Sequence, residues 1–202
     1  GGVPHRRNLR ASMDTNPLSG LQLLKIYKKT RNCIMFGRDV AVNIKRAQTI
    51  DEFDEVRALC REYEAALGVD LGFQDFEREL ENLPGKYGPP TGDLLIGTLQ
   101  GIVLGCVAVR GLDSNVCEMK RLYVRPQGRG VGLGRLLAEQ IIVVAGNLGY
   151  SSMRLDTLSS LTTAMHLYES LGFQQIEPYY ENPLSDVVYW ELDLKKGPPP
   201  VV

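Results

Sequence analysis

The chain has 202 residues, 44% of them hydrophobic and 23% charged, with a formal net charge of −1. That length is one domain, or one domain with an appended arm, and the composition excludes a disordered chain. Near-neutral charge removes whole-protein electrostatics as a basis for binding nucleic acid or an anionic membrane. The four cysteines, Cys33, Cys60, Cys106 and Cys117, make no C-x-x-C pair, which fits a reduced, cytoplasmic interior. With only His5 and His166 there is no H-E-x-x-H or Cys/His cluster, so no metal site is expected. Residues 94–109 are the longest apolar stretch, but Thr98, Gln100 and three glycines break it. A membrane span would need ~20 largely apolar residues. The first dozen residues are polar and basic, without the apolar run of a signal peptide.

Residues 1–39 read as an N-terminal arm, 40–196 as the folded domain and 197–202 as a proline-rich tail. In chain order, residues 41–44 form a short strand, with Val40, Val42 and Ile44 on one face. Thr49 and Glu52 have the spacing of a capping box. The helix after them carries Phe53, Val56, Leu59, Cys60 and Tyr63 as an apolar stripe and stops near Gly68. A second, acidic helix is expected over 73–83, ended by Pro84-Gly85. Residues 93–99, 102–110 and 116–124 read as an antiparallel three-strand meander. A glycine-rich segment leads into a helix over 132–147. Then come a strand over 152–156, a helix capped by Ser159 or Ser160 and closed by Gly172, and strands over 173–177 and 187–194. This order predicts an α+β (α/β) fold: a mixed, mostly antiparallel central sheet with helices on both faces. A ligand is expected where the strand–loop–helix unit opens the sheet.

That unit is the most informative stretch. A strand runs into Pro126, and Gly128, Gly130, Gly132 and Gly134 then alternate up to the start of a helix. Alternating glycines let backbone N–H groups approach a ligand, and the helix N-terminus adds partial positive charge, so a phosphate or pyrophosphate suits the site. No Gly-Lys-Ser/Thr triplet is present, which excludes a P-loop. Every G-x-G-x-x-G register fails at its third glycine, on Leu133, Arg135 or Leu137. The alternative is a tight strand–helix turn with no ligand, but four glycines in seven residues exceed what a turn needs.

The run Arg129-Gly130-Val131-Gly132-Leu133-Gly134 resembles the R/Q-x-x-G-x-G/A signature of the GNAT N-acetyltransferase superfamily. Downstream, residues 164–173 (Ala-Met-His-Leu-Tyr-Glu-Ser-Leu-Gly-Phe) resemble that family's A-x-x-L-Y-x-x-x-G-F helix and turn. The likeness covers roughly residues 44–194, including the order of elements, and implies the GNAT acyl-CoA N-acyltransferase fold with acetyl-CoA as co-substrate. It implies that the amides of Arg129, Gly130, Val131, Gly132, Leu133, Gly134 and Arg135 hold the CoA pyrophosphate. It also implies that the backbone of Leu122, Tyr123 and Val124 pairs with the pantetheine arm, one amide serving as an oxyanion donor. Tyr168 matches the family's acid for the departing thiolate; without the resemblance it reads as a core tyrosine. Glu118 falls where some relatives carry a glutamate base, and it reads equally as a solvated strand residue. Lys120, on its side of the strand, would lower its pKa.

Other residues carry weaker signals. Cys106 and Cys117 flank a hairpin and are expected to lie side by side as plain hydrophobes. His166 reads as a surface histidine and Trp190 as packing. In this superfamily the acceptor site lies between two loops, which here hold Asp70, Asp75 and Glu77 on one side and Tyr179, Tyr180, Glu181 and Asn182 on the other. Acid with aromatic suits a cationic amine, and suits a solvated rim equally. The expected activity is direct transfer of acetyl from acetyl-CoA to a primary amine, more a small molecule than a protein. A protein lysine or N-terminal acetyltransferase and a non-catalytic acyl-CoA-binding or regulatory module are the alternatives. A homodimer is compatible with the chain, whose sequence does not set its oligomeric state.

Overall fold

The computed structural model describes residues 33–36, 40–69, 72 and 75–196. Most of the expected arm, the tail, Asp70 and the Phe73 start of the expected second helix lie outside the described residues. Within the arm, β1 (Cys33–Phe36) pairs antiparallel with β2 (Val40–Arg46), a strand no sequence signal had marked.

α1 (Ile50–Leu67) begins as its sequence dictates. Thr49 Oγ1 accepts the Glu52 N–H, and the Glu52 side chain accepts the Thr49 N–H, so the capping box is closed. Gly68, at φ 67°, ends it in the left-handed region. α2 is only Phe76–Glu81, shorter than the apolar spacing predicts, and its N-cap Asp75 makes no side-chain cap. The meander β3 (Asp93–Leu99), β4 (Ile102–Gly111) and β5 (Val116–Val124) matches its expected bounds within a residue. After it come α3 (Leu133–Asn147), β6 (Ser152–Leu158), α4 (Thr162–Ser170), β7 (Gln174–Ile176) and β8 (Val187–Asp193).

The serine cap expected for α4 does not form. β6 runs on to Leu158, the Ser159 N–H donates to Asp186 O, and the helix starts after Leu161 without a side-chain cap.

The eight strands make one sheet in the order β1-β2-β3-β4-β5-β6-β8-β7. Every neighbouring pair is antiparallel except β5–β6. Helices cover both faces. One face buries Val56, Leu59 and Cys60 of α1 and Phe76 and Leu80 of α2 against Leu94, Ile96 and Ala108. The other buries Leu133, Leu137, Ala138 and Ile141 of α3 against Leu95, Val107, Met119 and Leu155. α3 sits close: a Cβ on Gly105 would come within 2.9 Å of Leu137 Cδ1 and 2.8 Å of Tyr123 O. Cys106 and Cys117 belong to opposite faces, so they are not side by side; their sequence positions in a hairpin hid a register that pairs Cys106 with Tyr123 and Cys117 with Gly111.

Candidate active site

β5 and β6 run parallel through only three residue pairs, Val116–Ser152, Cys117–Met153 and Glu118–Arg154. Beyond them the strands diverge and leave a wedge in the middle of the sheet. A bulge sharpens it. Cys106 pairs with Tyr123 and Ala108 with Lys120, so Val107 alone faces both Arg121 and Leu122. Arg121 absorbs the extra residue at φ 59°, a conformation non-glycine residues rarely hold without outside support. The support is on the α1/α2 face: its Nε donates to Glu79 Oε1 at 2.7 Å, and the guanidinium lies 4.9 Å from the Phe76 ring. Burial pushes the Glu79 carboxyl up, but Arg121 and Lys86 more than offset this and hold it below the usual carboxylate range.

The wedge is a cleft of ≈ 60 Å³ lined by Met119, Lys120, Arg121 and Leu122 of β5 and by Leu155, Asp156, Thr157 and Leu158 of β6. Tyr63 of α1, Tyr168 of α4 and Asn182 of the β7–β8 loop close its sides. Side chains on β5 and β6 alternate. Cys117, Met119, Met153 and Leu155 enter the α3 core, which turns Glu118, Lys120, Arg154 and Asp156 to the other face. There Lys120 Nζ stands 2.7 Å from Asp156 Oδ1 and 3.7 Å from Glu118 Oε1.

Tyr168 reaches the cleft as the resemblance implies, while its ring packs between Phe173 (5.7 Å between centroids) and Trp190 (6.5 Å). Core packing and cleft lining therefore coexist in one residue. Burial raises its phenol well above the ordinary value, and Tyr63 and Asp156 nearby add to the shift. Glu118 is placed differently. It is 1% exposed and does not line the cleft; Arg110 Nε donates to its Oε2 and Tyr179 OH to its Oε1, both at 2.7 Å. Arg110 and Tyr179 thus occupy both carboxylate oxygens.

The glycine segment forms a 3₁₀ turn (Pro126–Gly128) and then α3, whose N-cap is Gly132 at φ 80°. A glycine cap has no side chain to satisfy the first-turn amides, and the first of the α3 bonds back into the cap is Leu136 N–H to Gly132 O. The amides of Leu133, Gly134 and Arg135 are left for a ligand, with the helix dipole behind them. A Cβ on Gly130 would meet nothing within 4 Å and one on Gly134 only Val124 at 3.6 Å, so the cradle is open on the ligand side. A pyrophosphate fits this arrangement. Arg129 Nε donates to Val124 O, and Arg135 Nη2 to Ser170 Oγ at 2.5 Å. The second contact ties the first turn of α3 to the end of α4, two residues beyond Tyr168.

Sequence reasoning passed over Asp156, Tyr63 and Arg110. Asp156 had a usable signal, since Met153 and Leu155 as inward residues put it on the Glu118 face, but only the β5–β6 register brings it to Lys120. Of the expected acceptor residues, Tyr179 and Tyr180 pack with Tyr189 beside the cleft and Asn182 lines it. Asp75 pairs with Arg78 and Glu77 with Arg61 at the surface, and neither lines the cleft. His166 and Glu181 are exposed, and Trp190 is core. Burial pushes the Cys117 thiol up to about 12, and the Cys60 contact and burial raise that of Cys106, so both are inert at neutral pH. Among the described residues no His/Cys/Asp/Glu group stands together as a metal site, and no helix is long and apolar enough to cross a membrane.

The family model for the acetyltransferase (GNAT) family matches residues 56–173, more than half of the chain. The chain belongs to the GNAT family. An uncharacterized N-acetyltransferase of Schizosaccharomyces pombe is 46% identical over 157 residues, 77% of this chain and 96% of that protein. An uncharacterized N-acetyltransferase of Dictyostelium discoideum is 30% identical, across 75% of this chain and 99% of its own length. Among solved structures, a GNAT acetyltransferase of Staphylococcus aureus superposes with a TM-score of 0.65 at 19% identity, covering 76% of this chain and 99% of that one. One from Salmonella typhimurium, solved with its cofactor acetyl-CoA, superposes at 0.54 and 22% identity, covering 76% and 94%. The eight-stranded sheet and the opened β5–β6 pair are thus the GNAT fold, and the chain is an acetyltransferase by family.

Proposed function

We propose that this GNAT protein transfers the acetyl group of acetyl-CoA to a primary amine of a small molecule within a ternary complex. One observation carries the reading: the first turn of the uncapped α3, through Arg135, bonds Ser170 of α4, two residues beyond Tyr168, which lines the β5–β6 wedge. Acetyl-CoA supplies an acyl carbon already activated as a thioester. The amides of residues 129–135 bind its pyrophosphate. The free edge of β5 at Leu122, Tyr123 and Val124 pairs with the peptide-like arm and offers an N–H to the carbonyl oxygen as charge develops there. Tyr168 donates its phenolic proton to the departing sulfur. Its raised pKa keeps that proton in place at neutral pH and makes the phenol a weaker acid than the thiol it forms, so donation belongs to carbon–sulfur cleavage, as charge grows on sulfur. Glu118 acts from behind Lys120, because Arg110 and Tyr179 already hold both of its oxygens.

The narrow cleft supports a small acceptor. So do two relatives named for small-molecule products or substrates: N-acetylaspartate synthetase of Danio rerio, 34% identical over 48% of this chain and 36% of that protein, and IAA acetyltransferase of Azospirillum brasilense, 35% identical over 45% and 62%. The test is acetyl-CoA-dependent thiol release across a panel of amines and lysine peptides, with CoA affinity measured by calorimetry in parallel. Turnover of small amines well above peptides is expected. CoA binding with no turnover on any acceptor makes the protein a binding module instead.

A further inference from the structure

Two side chains of opposite charge, Lys120 and Asp156, stand inside the cleft. The side chains of Lys120 and Asp156 are 10% and 12% exposed and stand 2.7 Å apart; Lys120 also lies 3.7 Å from Glu118, and the Tyr180 hydroxyl bonds Asp156. We infer that this pair is the acceptor's anchor and that the acceptor is amino-acid-like, with a carboxylate adjacent to the amine that is acetylated.

The argument is one of charge balance in a desolvated site. An amine alone takes Asp156 and strands Lys120, whose remaining neighbour, Glu118 at 3.7 Å, is already held by Arg110. A carboxylate alone takes Lys120 and leaves Asp156 the Tyr180 hydroxyl but no cation. A molecule carrying both groups exchanges one ion pair for two and leaves no buried charge unmatched. The amine and carboxylate of an α-amino acid lie about 3 Å apart, a span that matches an ion pair at hydrogen-bond distance. The loop side is built to hold such a ligand: Tyr180 faces Lys120 with 5.9 Å from Nζ to its ring centroid, and the Asn182 amide fixes the Tyr180 hydroxyl at 2.8 Å. Tyr168 lies on the same cleft and feels the Asp156 charge. In transfer, the nitrogen forms its bond to the acyl carbon as the carbon–sulfur bond breaks. The bound ammonium first gives one proton to Asp156, which frees the lone pair that attacks; the nitrogen's second proton leaves through solvent as the amide forms, and the sulfur takes the Tyr168 proton, which solvent restores.

The inference rests on the acetyltransferase reading, and matched acceptors separate the two. The probes are α-amino acids paired with their decarboxylated amines and with their carboxamides, assayed for acetyl transfer and, without acetyl-CoA, for binding by calorimetry. Wild-type protein is expected to favour the amino acid over both partners by roughly 10–100-fold in kcat/KM and in affinity, the range of a charge-assisted pair. Lys120→Met should remove that preference while leaving CoA affinity within threefold of wild type. Should that variant not fold, the amino acid against its carboxamide on wild-type protein decides alone. Equal use of amine and amino acid overturns the anchor but not the acetyltransferase. Absence of transfer to every acceptor, with no amino-acid binding, overturns both.

Discussion

Tyr168 shows how one residue serves the core and the reaction together. Its ring is wedged against Phe173 and Trp190, so the hydroxyl is held by packing and needs no hydrogen-bond partner to be aimed. Tyr168→Phe keeps the ring and its contacts. The expected result is a fall in kcat of ~10²–10⁴-fold with little change in KM for acetyl-CoA, the signature of an interaction made mainly in the transition state. Steady-state kinetics on folded variant protein check this; full activity would assign the proton to another source. Glu118 is the contrasting residue. Its type and place in the strand resemble a base, but register pairs it with Arg110 and the β7–β8 loop supplies Tyr179, two contacts between segments 8 and 61 residues apart in sequence. Strand alternation gives a residue's face; it does not give what a distant loop lays upon that face.

At the scale of elements, the glycine segment and α3 were legible because local chemistry decides them: Pro126 stops the strand, glycines permit the turn, and an uncapped helix follows. Gly132 is needed for its backbone, at φ 80°, so a side chain there strains the fold as well as the site. Gly134 is the cleaner probe, being helical, with only Val124 in van der Waals contact, at 3.6 Å, where its Cβ would stand. Gly134→Val is expected to lower the thermal midpoint by only a few degrees, as the branched side chain crowds Val124, and to weaken CoA binding by at least ~10-fold by displacing the first-turn amides. Calorimetry and a thermal melt read the two effects separately. α1 was equally legible, since Thr49, Glu52 and Gly68 encode both of its ends. α2 and α4 were not. Apolar spacing over 73–83 and serines at 159 and 160 are local hints that tertiary pairing overrode, the second through extension of β6 beside β8. β1 gave no signal beyond a short apolar run, and only the open edge of β2 makes it a strand.

For the whole molecule, the wedge concentrates buried phenols. Burial pushes Tyr63 up to about 12 and raises Tyr87, Tyr168, Tyr179 and Tyr180 well above the ordinary phenol value, the last two also through the carboxylates of Glu118 and Asp156. The folded chain therefore holds these protons above pH ~10, where the unfolded chain has released them. A group whose folded pKa is raised stabilises fully below its unfolded value and loses that contribution as pH rises through its folded one. Stability should therefore be flat from pH 7 to 9 and fall steeply from pH ~10 to 12, read as the urea midpoint across that range. The divergence of β5 from β6 has a mechanical meaning too. β1–β5 form one plate and β6, β8 and β7 another, laced together over three residue pairs. Beyond it the plates meet through side chains: the α3 core touches both, and Lys120 and Asp156 bridge the gap at 2.7 Å. Tyr179 hangs from one plate and grips Glu118 on the other, a cross-stitch on the far side of the seam. A molecule in the gap therefore meets side chains of both plates at once, Lys120 from one and Asp156 from the other.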